Sequence, residues 1–242
     1  MTALIAAELL KLRTTRTAFG FLVATVLLTL AVDAASFATS DFRTEQDVRA
    51  ALSGTGIVSA LLLVLGIVAT TGEHRHNTIT ASLLASPDRR RLVAAKAVAY
   101  LVTGAVLGLV AVAVTVAVGV PWLSARDAPL ELLDAGDYAA LVGRGVVAAA
   151  LSGALGVAIG AIVRNQIAAV VGALVYLFLL EPVLALVSAE VAAYSFGSAQ
   201  AALTEGPVDD PLDPVPATLV LTAWAVVLGL AGAELEERRD VV

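Results

Sequence analysis

Six long runs of apolar residues alternate with short polar segments along the chain. The runs are continuously apolar instead of alternating with period two, and Ala and Leu dominate them, which favours helices over strands. A helix needs roughly 17 to 25 residues to cross the hydrocarbon core of a bilayer. The pattern therefore predicts an all-α membrane protein with six transmembrane helices, at residues 17–37, 55–71, 97–120, 138–163, 167–187 and 217–233.

The composition supports the same class of protein. Hydrophobic residues make up 59% of the 242 and charged residues 15%, whereas a soluble domain has about 45–50% and about 25%. One water-surrounded core could not hide so much apolar surface, so lipid must cover part of it. The absence of cysteine excludes disulfides, thiolate metal sites and thiol catalysis.

Basic residues predict the orientation of the six spans. Eleven of the 15 lie on the side that holds both termini, namely Lys11, Arg13, Arg16, Arg75, Arg89, Arg90, Arg91, Lys96, Arg164, Arg238 and Arg239. Because cytoplasmic loops carry an excess of Lys and Arg, we expect a multi-pass protein of the plasma membrane with both termini in the cytoplasm. Segment 188–216, with its acidic stretch EGPVDDPLDP, is then extracellular. We expect seven of the basic side chains at the lipid headgroups: Lys11, Arg13, Arg16, Arg89, Arg90, Arg91 and Lys96.

Residues 1–16 have the pattern of an amphipathic helix. One helical stripe contains Ile5, Leu9, Leu12 and Arg16, and another contains Glu8, Lys11 and Thr15. This pattern predicts a helix in the inner membrane interface, with its basic residues reaching lipid phosphates. A plain cytoplasmic extension of the first span is the alternative.

Segment 72–96 gathers two histidines, a glutamate, an aspartate, a lysine and four arginines into 25 residues. Within it, Ser86-Pro87-Asp88 predicts the start of the third helix, with Ser86 as the N-cap. The preceding residues 78–85 can form about two helical turns, with apolar residues on one face. So short a helix needs packing to persist, which predicts a docking element. Alternatively, the charges of the segment only fix topology and attract lipid.

These features together resemble the permease subunits of ABC transporters, specifically the ABC-2 type exporters. The resemblance covers nearly the whole chain, and its most specific part is a motif in the segment after the second span. The matching residues are Gly72, Glu73, Thr78, Ile79, Leu83, Leu84, Ser86, Pro87, Arg90 and Lys96. The ending Arg-Arg-Asp-Val after the sixth span is similar to that of many such permeases.

The resemblance implies a short coupling helix that docks on a separate nucleotide-binding subunit. The implied partner-binding residues are Glu73, Thr78, Ile79, Leu83 and Leu84. It also implies two permeases, identical or closely related, with two ATPases, and an outer gate in segment 188–216, for which an ordinary acidic loop is the alternative. Nucleic acid is not an expected partner.

Two lysines, Lys11 and Lys96, are the only ones in the sequence, and neither follows a glycine. A phosphate-binding loop needs Gly directly before Lys, so ATP and Mg²⁺ are expected on the partner and no cofactor or enzyme activity in this chain. Glu73, His74 and His76 offer too few ligands to predict a metal site.

Asp33 and Glu181 lie within or beside apolar runs, where acids are functional candidates by default. Both fall near the outer ends of their spans, so we interpret them as interface residues that reach water. An ion-coupled secondary transporter that uses both acids is the alternative function, and a membrane enzyme ranks last. The pairs Gly104/Gly108 and Gly156/Gly160 predict close helix packing within the subunit.

Overall fold

The structure is a computed structural model, and it describes residues 1–39, 44–52, 56–75, 88–126, 134–205 and 212–238. Six of its helices are long and apolar enough to cross a membrane, and the described residues contain no strand. The prediction of an all-α membrane protein with six spans is therefore confirmed. Four predicted partner-binding residues lie outside the described residues: Thr78, Ile79, Leu83 and Leu84.

The helices follow one another in a simple order. A short N-terminal helix precedes the first long one, and shorter helices stand between the first and second and between the fifth and sixth. The bounds are α1 Thr2–Thr14, α2 Arg16–Thr39, α3 Glu45–Leu52, α4 Gly56–Arg75, α5 Arg89–Ser124, α6 Ala135–Val163, α7 Gln166–Val187, α8 Ala189–Ala192, α9 Phe196–Glu205 and α10 Pro214–Arg238.

Helix α6 lies at the centre of the bundle and packs against α4, α5 and α10. Glycines permit the close approach: a Cβ at Gly156 would lie 2.1 Å from the carbonyl oxygen of Leu63 on α4, and one at Gly104 would lie 2.5 Å from that of Ala149 on α6. Gly108 and Gly160 are similarly crowded by α6 and α4 respectively. The prediction that these glycines pack helices within the subunit is confirmed.

Three of the long helices, α2, α7 and α10, bury little of their surface inside the bundle. Their outward side chains are large and apolar, for example Phe19, Ile167 and Leu219. Hydrocarbon is the solvent that accommodates such a surface without aggregation.

Helix ends follow local capping chemistry. The carboxylate of Asp88 accepts a hydrogen bond from the backbone N–H of Arg91 at 3.0 Å, so Asp88 caps α5. The prediction of Ser86 as N-cap is therefore wrong, because the helix begins at Arg89 and the nearer carboxylate takes that position. Helix α6 ends at Arg164, whose φ of 57° is left-handed, and Asn165 then caps α7.

Helix α7 continues past Pro182 instead of ending there. A π-helical turn, Tyr176–Leu180, precedes Glu181–Val187. Proline lacks an N–H and its ring collides with the carbonyl four residues earlier, and a wider turn relieves both problems. The chain around Pro182 is thus a local widening of one helix.

Helices α8 and α9 form from the first part of segment 188–216. Helix α9 is packed into the bundle by an apolar face that includes Phe196, Ala199 and Leu203. The side-chain amide of Gln200 donates to the carbonyl of Gly56 at 3.0 Å, which attaches α9 to the start of α4.

Candidate functional site at the base of the bundle

Helix α1 and the last turns of α10 lie at the same end of the bundle, which we call the base, and we call the opposite end the far end. Four charged side chains meet at the base: Glu8, Lys11, Glu73 and Lys96, hereafter the base cluster. Lys96 Nζ lies 2.6 Å from Glu8 Oε2 and 2.8 Å from Glu73 Oε1. Lys11 Nζ lies 2.6 Å from Glu8 Oε1 and 3.0 Å from Glu73 Oε1. Each ammonium therefore bridges both carboxylates.

The base cluster joins three helices, α1, α4 and α5, because each contributes at least one charged side chain at the base. Thr15 is extended, with φ −94° and ψ 143°, so the chain turns between α1 and α2 and α1 packs beside α5. Leu12 is buried there, and Glu8 lies one turn earlier on the same face. Glu73 comes from the last turn of α4 and Lys96 from the second turn of α5.

Lys96 was expected among the lipid headgroups, and the structure corrects this. Its side chain is 5% exposed and lies between two carboxylates. A buried ammonium is tolerated when opposite charges and hydrogen bonds replace its water, which Glu8 and Glu73 do. The sequence pattern predicts Glu8 and Lys11 on a polar stripe of α1. In the structure Glu8 faces the protein, and Lys11 is paired with Glu8 and Glu73.

The charges of the base cluster sum to zero, with two ammonium groups and two carboxylates. Burial by itself lowers the pKa of Lys11, but the hydrogen bonds and charges of Glu8 and Glu73 outweigh burial, so the pKa of Lys11 is raised above its ordinary value. The stabilising contribution of Lys11 is therefore complete at neutral pH and is lost only as the pH rises through its raised pKa, in the strongly alkaline range.

The remaining basic residues predicted at the membrane surface divide into two groups. Arg13, Arg16 and Arg91 are exposed, as expected of residues that reach headgroups. Arg89 instead donates to the carbonyl oxygen of Glu236 at 2.7 Å, and Arg90 donates to Glu234 at 2.6 Å.

An ion pair between Arg164 and Glu236 connects the loop after α6 to α10. Arg164 donates through Nε and Nη2 to the two carboxylate oxygens of Glu236, at 2.9 and 2.6 Å. Because Arg89 also contacts Glu236, this residue joins α5, α10 and the α6–α7 connection. No sequence pattern predicts this pair, because a glutamate after the last apolar run is expected to face solvent.

The base cluster lies at both attachment points of segment 76–87. Glu73 stands three residues before that segment, and Lys96 stands in the helix that follows it. A cavity of about 640 Å³ opens beside the cluster, with Lys11, Thr15, Glu73, Arg75 and Gln166 in its lining. The base cluster therefore links the helix that precedes segment 76–87, the helix that follows it, and α1.

The two predicted intramembrane acids, Asp33 and Glu181, are both buried, which corrects the expectation that they reach water. Glu181 Oε1 accepts the backbone N–H of Gly197 at 2.8 Å, in the first turn of α9. That position favours a carboxylate because it faces the positive end of a helix dipole. Asp33 accepts from the hydroxyl of Thr115 at 3.2 Å. The two acids lie in separate environments and do not form one site.

Comparison with known proteins gives one family. A family model described as "ABC-2 family transporter protein" matches residues 4–180, which is 177 of the 242 residues. The match includes α1, the whole base cluster and the long helices from α2 to the middle of α7. A search of curated proteins gives no significant match.

Proposed function

The chain belongs to the ABC-2 transporter family, and from that membership we propose that it is the membrane-spanning permease of an ATP-driven exporter. A separate nucleotide-binding subunit holds ATP and Mg²⁺ and hydrolyses the nucleotide. The permease provides the path across the membrane and changes conformation when its partner does. The lack of a phosphate-binding lysine in this sequence supports that division of labour.

The base cluster is the observation that carries the proposal. Its four side chains join α1, the end of α4 and the start of α5, and the last two are the helices that flank segment 76–87. In our proposal the partner docks on this segment through Ile79 and Leu83, with Thr78 and Leu84 beside them. Glu73 then receives the displacement directly, and Lys96 passes it to α1 through Glu8.

The transport cycle follows from a bundle with two packed arrangements. Closely packed helices resist continuous deformation, so a displacement at the base shifts the bundle between discrete states that open to opposite sides. In our proposal the base faces the cytoplasm and the far end faces outside, in the plasma membrane. A second permease copy or a close relative completes the pathway, lipid surrounds it, and α8 and α9 form the outer gate.

Association with the partner is tested by replacing both Ile79 and Leu83 with Asp. The change places charge in the proposed contact, and burial of unpaired charge costs several kcal/mol. We expect the variant to reach the membrane normally and to lose its ATPase partner during co-purification. Arg91→Gln is the matched control, because Arg91 is exposed in the same region and its loss leaves the apolar contact intact.

Both variants are compared at equal membrane expression. If the double Asp variant retains its partner as well as the control does, segment 76–87 is not the docking element and this part of the proposal is wrong. ATP hydrolysis by the purified chain alone, in proportion to its concentration, would contradict the assignment of ATPase activity to another subunit.

A further inference from the structure

Asp33 lies in a buried polar stripe that the proposed function does not use. The side chains of Thr25, Thr29 and Asp33 follow one face of α2 at intervals of four residues, and each is fully buried. Phe37, one turn further, is also fully buried and closes the stripe toward the far end. At 1.5 Å per residue, the polar part covers about 12 Å of the helix axis.

The partner helix in this contact is α5, which runs parallel to α2. Thr115 donates to Asp33, and one turn later Gly119 receives Phe37, whose ring carbon Cζ would lie 2.8 Å from a Cβ at that glycine. Continuing the same register toward the base places Ala111 opposite Thr29. Alanine offers no side-chain hydrogen bond.

The two threonines of the stripe behave differently from others on the long helices. Six threonines donate to the carbonyl oxygen four residues earlier: Thr39, Thr70, Thr71, Thr103, Thr218 and Thr222. The hydroxyls of Thr25 and Thr29, like Asp33 Oδ2, are buried without a hydrogen-bond partner in the structure. Their polar atoms are therefore directed into the contact between helices instead of back onto their own backbone.

Among the described residues, no charged group compensates a carboxylate at Asp33. Helix α5 has no titratable side chain between Tyr100 and Arg126, and α4 has none between Gly56 and Gly72. On α3, Arg49 is paired with Asp137, and Asp47 accepts from the backbone of Thr44. Arg126 lies over the ring of Trp122, and the charges of α1 lie at the base.

We propose that Asp33 is a proton-binding site, and that its carboxyl group is protonated in this conformation. An ionised carboxylate without water needs several donors or a cation, and the described residues supply it with the hydroxyl of Thr115. A sodium ion fits less well because hard cations take about six oxygen ligands, and Thr25 lies two turns from Asp33. A neutral acid needs neither.

Infrared spectroscopy of the full chain in lipid nanodiscs tests the assignment at neutral pH. We expect a protonated carboxylic acid band that disappears in Asp33→Asn, remains in Glu181→Gln, and shifts to higher frequency in Thr115→Val because its carbonyl loses a hydrogen bond. A spectrum that Asp33→Asn leaves unchanged overturns the proposal. A band that appears only after sodium is removed also overturns it, in favour of a cation site.

Folding provides an independent readout. Asp33→Asn resembles the protonated acid in shape, so it should unfold at nearly the same temperature as the unmodified chain, whereas Asp33→Ala should unfold earlier. Equal loss in both variants contradicts a neutral Asp33.

Discussion

At the base, the buried carboxylate of Glu8 and the partly buried carboxylate of Glu73 share two ammonium groups, whereas toward the far end Asp33 accepts one hydrogen bond from a threonine hydroxyl. Both regions remove acidic side chains from solvent. At the base, opposite charges arrive from three helices; around Asp33, the described parts of the neighbouring helices are nearly uncharged.

The difference shows two solutions to the same desolvation cost. Paired charges offset each other only while their geometry holds, so the base cluster ties helices together and makes them move as a unit. A protonated acid needs no partner, and it can respond to proton supply without rearranging an ion pair. We therefore expect the same chemical substitution, carboxylate to amide, to have different consequences in the two regions.

Lys96→Met should have the largest effect. It removes the buried ammonium that both carboxylates share, and leaves the buried Glu8 and the partly buried Glu73 with Lys11 alone. Breaking a buried pair in this way costs about 3–5 kcal/mol of the free energy of unfolding. Equilibrium unfolding in detergent measures it, with Arg91→Met as the control, since the Arg91 side chain is 71% exposed. Equal stability of the two variants would show that the base cluster is not a structural unit.

Glu8→Gln and Asp33→Asn compare the two regions directly. Glu8→Gln should cost about 2–3 kcal/mol, because two charge-assisted hydrogen bonds lose their anionic acceptor. Asp33→Asn should cost less than about 1 kcal/mol, the contribution of one neutral hydrogen bond. The same unfolding measurement applies to both. A larger loss from Asp33→Asn than from Glu8→Gln would reverse the comparison.

Glu236→Gln extends the comparison to the ion pair between Arg164 and Glu236 at the base. The amide retains one acceptor for Arg164 but loses the bidentate charge interaction, so we expect a loss of about 1.5 kcal/mol. Glu237→Gln is the neighbouring control, with a side chain that is 52% exposed, and should change stability little. If Glu237→Gln lowers the free energy of unfolding as much as Glu236→Gln does, the density of charge at the end of α10 matters more for stability than the pair between Arg164 and Glu236.

Arg49→Gln should have the smallest effect among the variants that break an ion pair. The Arg49–Asp137 pair joins α3 to the start of α6, and both side chains are partly exposed. Solvent screens such a pair, and we expect a loss of less than about 1 kcal/mol that shrinks in high salt. A salt-independent loss of several kcal/mol would mean that the far end also depends on ion pairs.

Much of the helical framework could be predicted because hydropathy reports it directly. The expected fourth span, 138–163, differs from α6, Ala135–Val163, by three residues at its start. The apolar run of the third span was expected from residue 97 and the start of its helix at Ser86-Pro87-Asp88; α5 begins at Arg89, and its first eight residues are mostly polar or small. Hydropathy marks where lipid begins, while a cap such as Asp88 marks where the helix begins.

The candidate site was harder to predict from sequence. A lysine next to a membrane span, such as Lys96, is expected to contact lipid headgroups. A single sequence does not show that Glu8 and Glu73 reach it from two other helices. Asp33 was singled out from the sequence, yet its hydrogen-bond donor in the structure is Thr115, which is 82 residues away. Pairings across such distances in sequence depend on helix packing, and periodicity within one helix carries no information about them.

The proposed transmission from the base to the far end is tested most directly in a complex with the ATPase that we propose as partner. The chain contains no cysteine, so Ser198→Cys, beside the cavity lined by α4, α7 and α9, introduces a single reactive thiol. We predict that an ATP analogue changes the labelling rate of this thiol, and that adding Lys96→Met abolishes the change while the partner stays bound. An undiminished ATP-dependent change in the Lys96→Met background would contradict transmission through the base cluster.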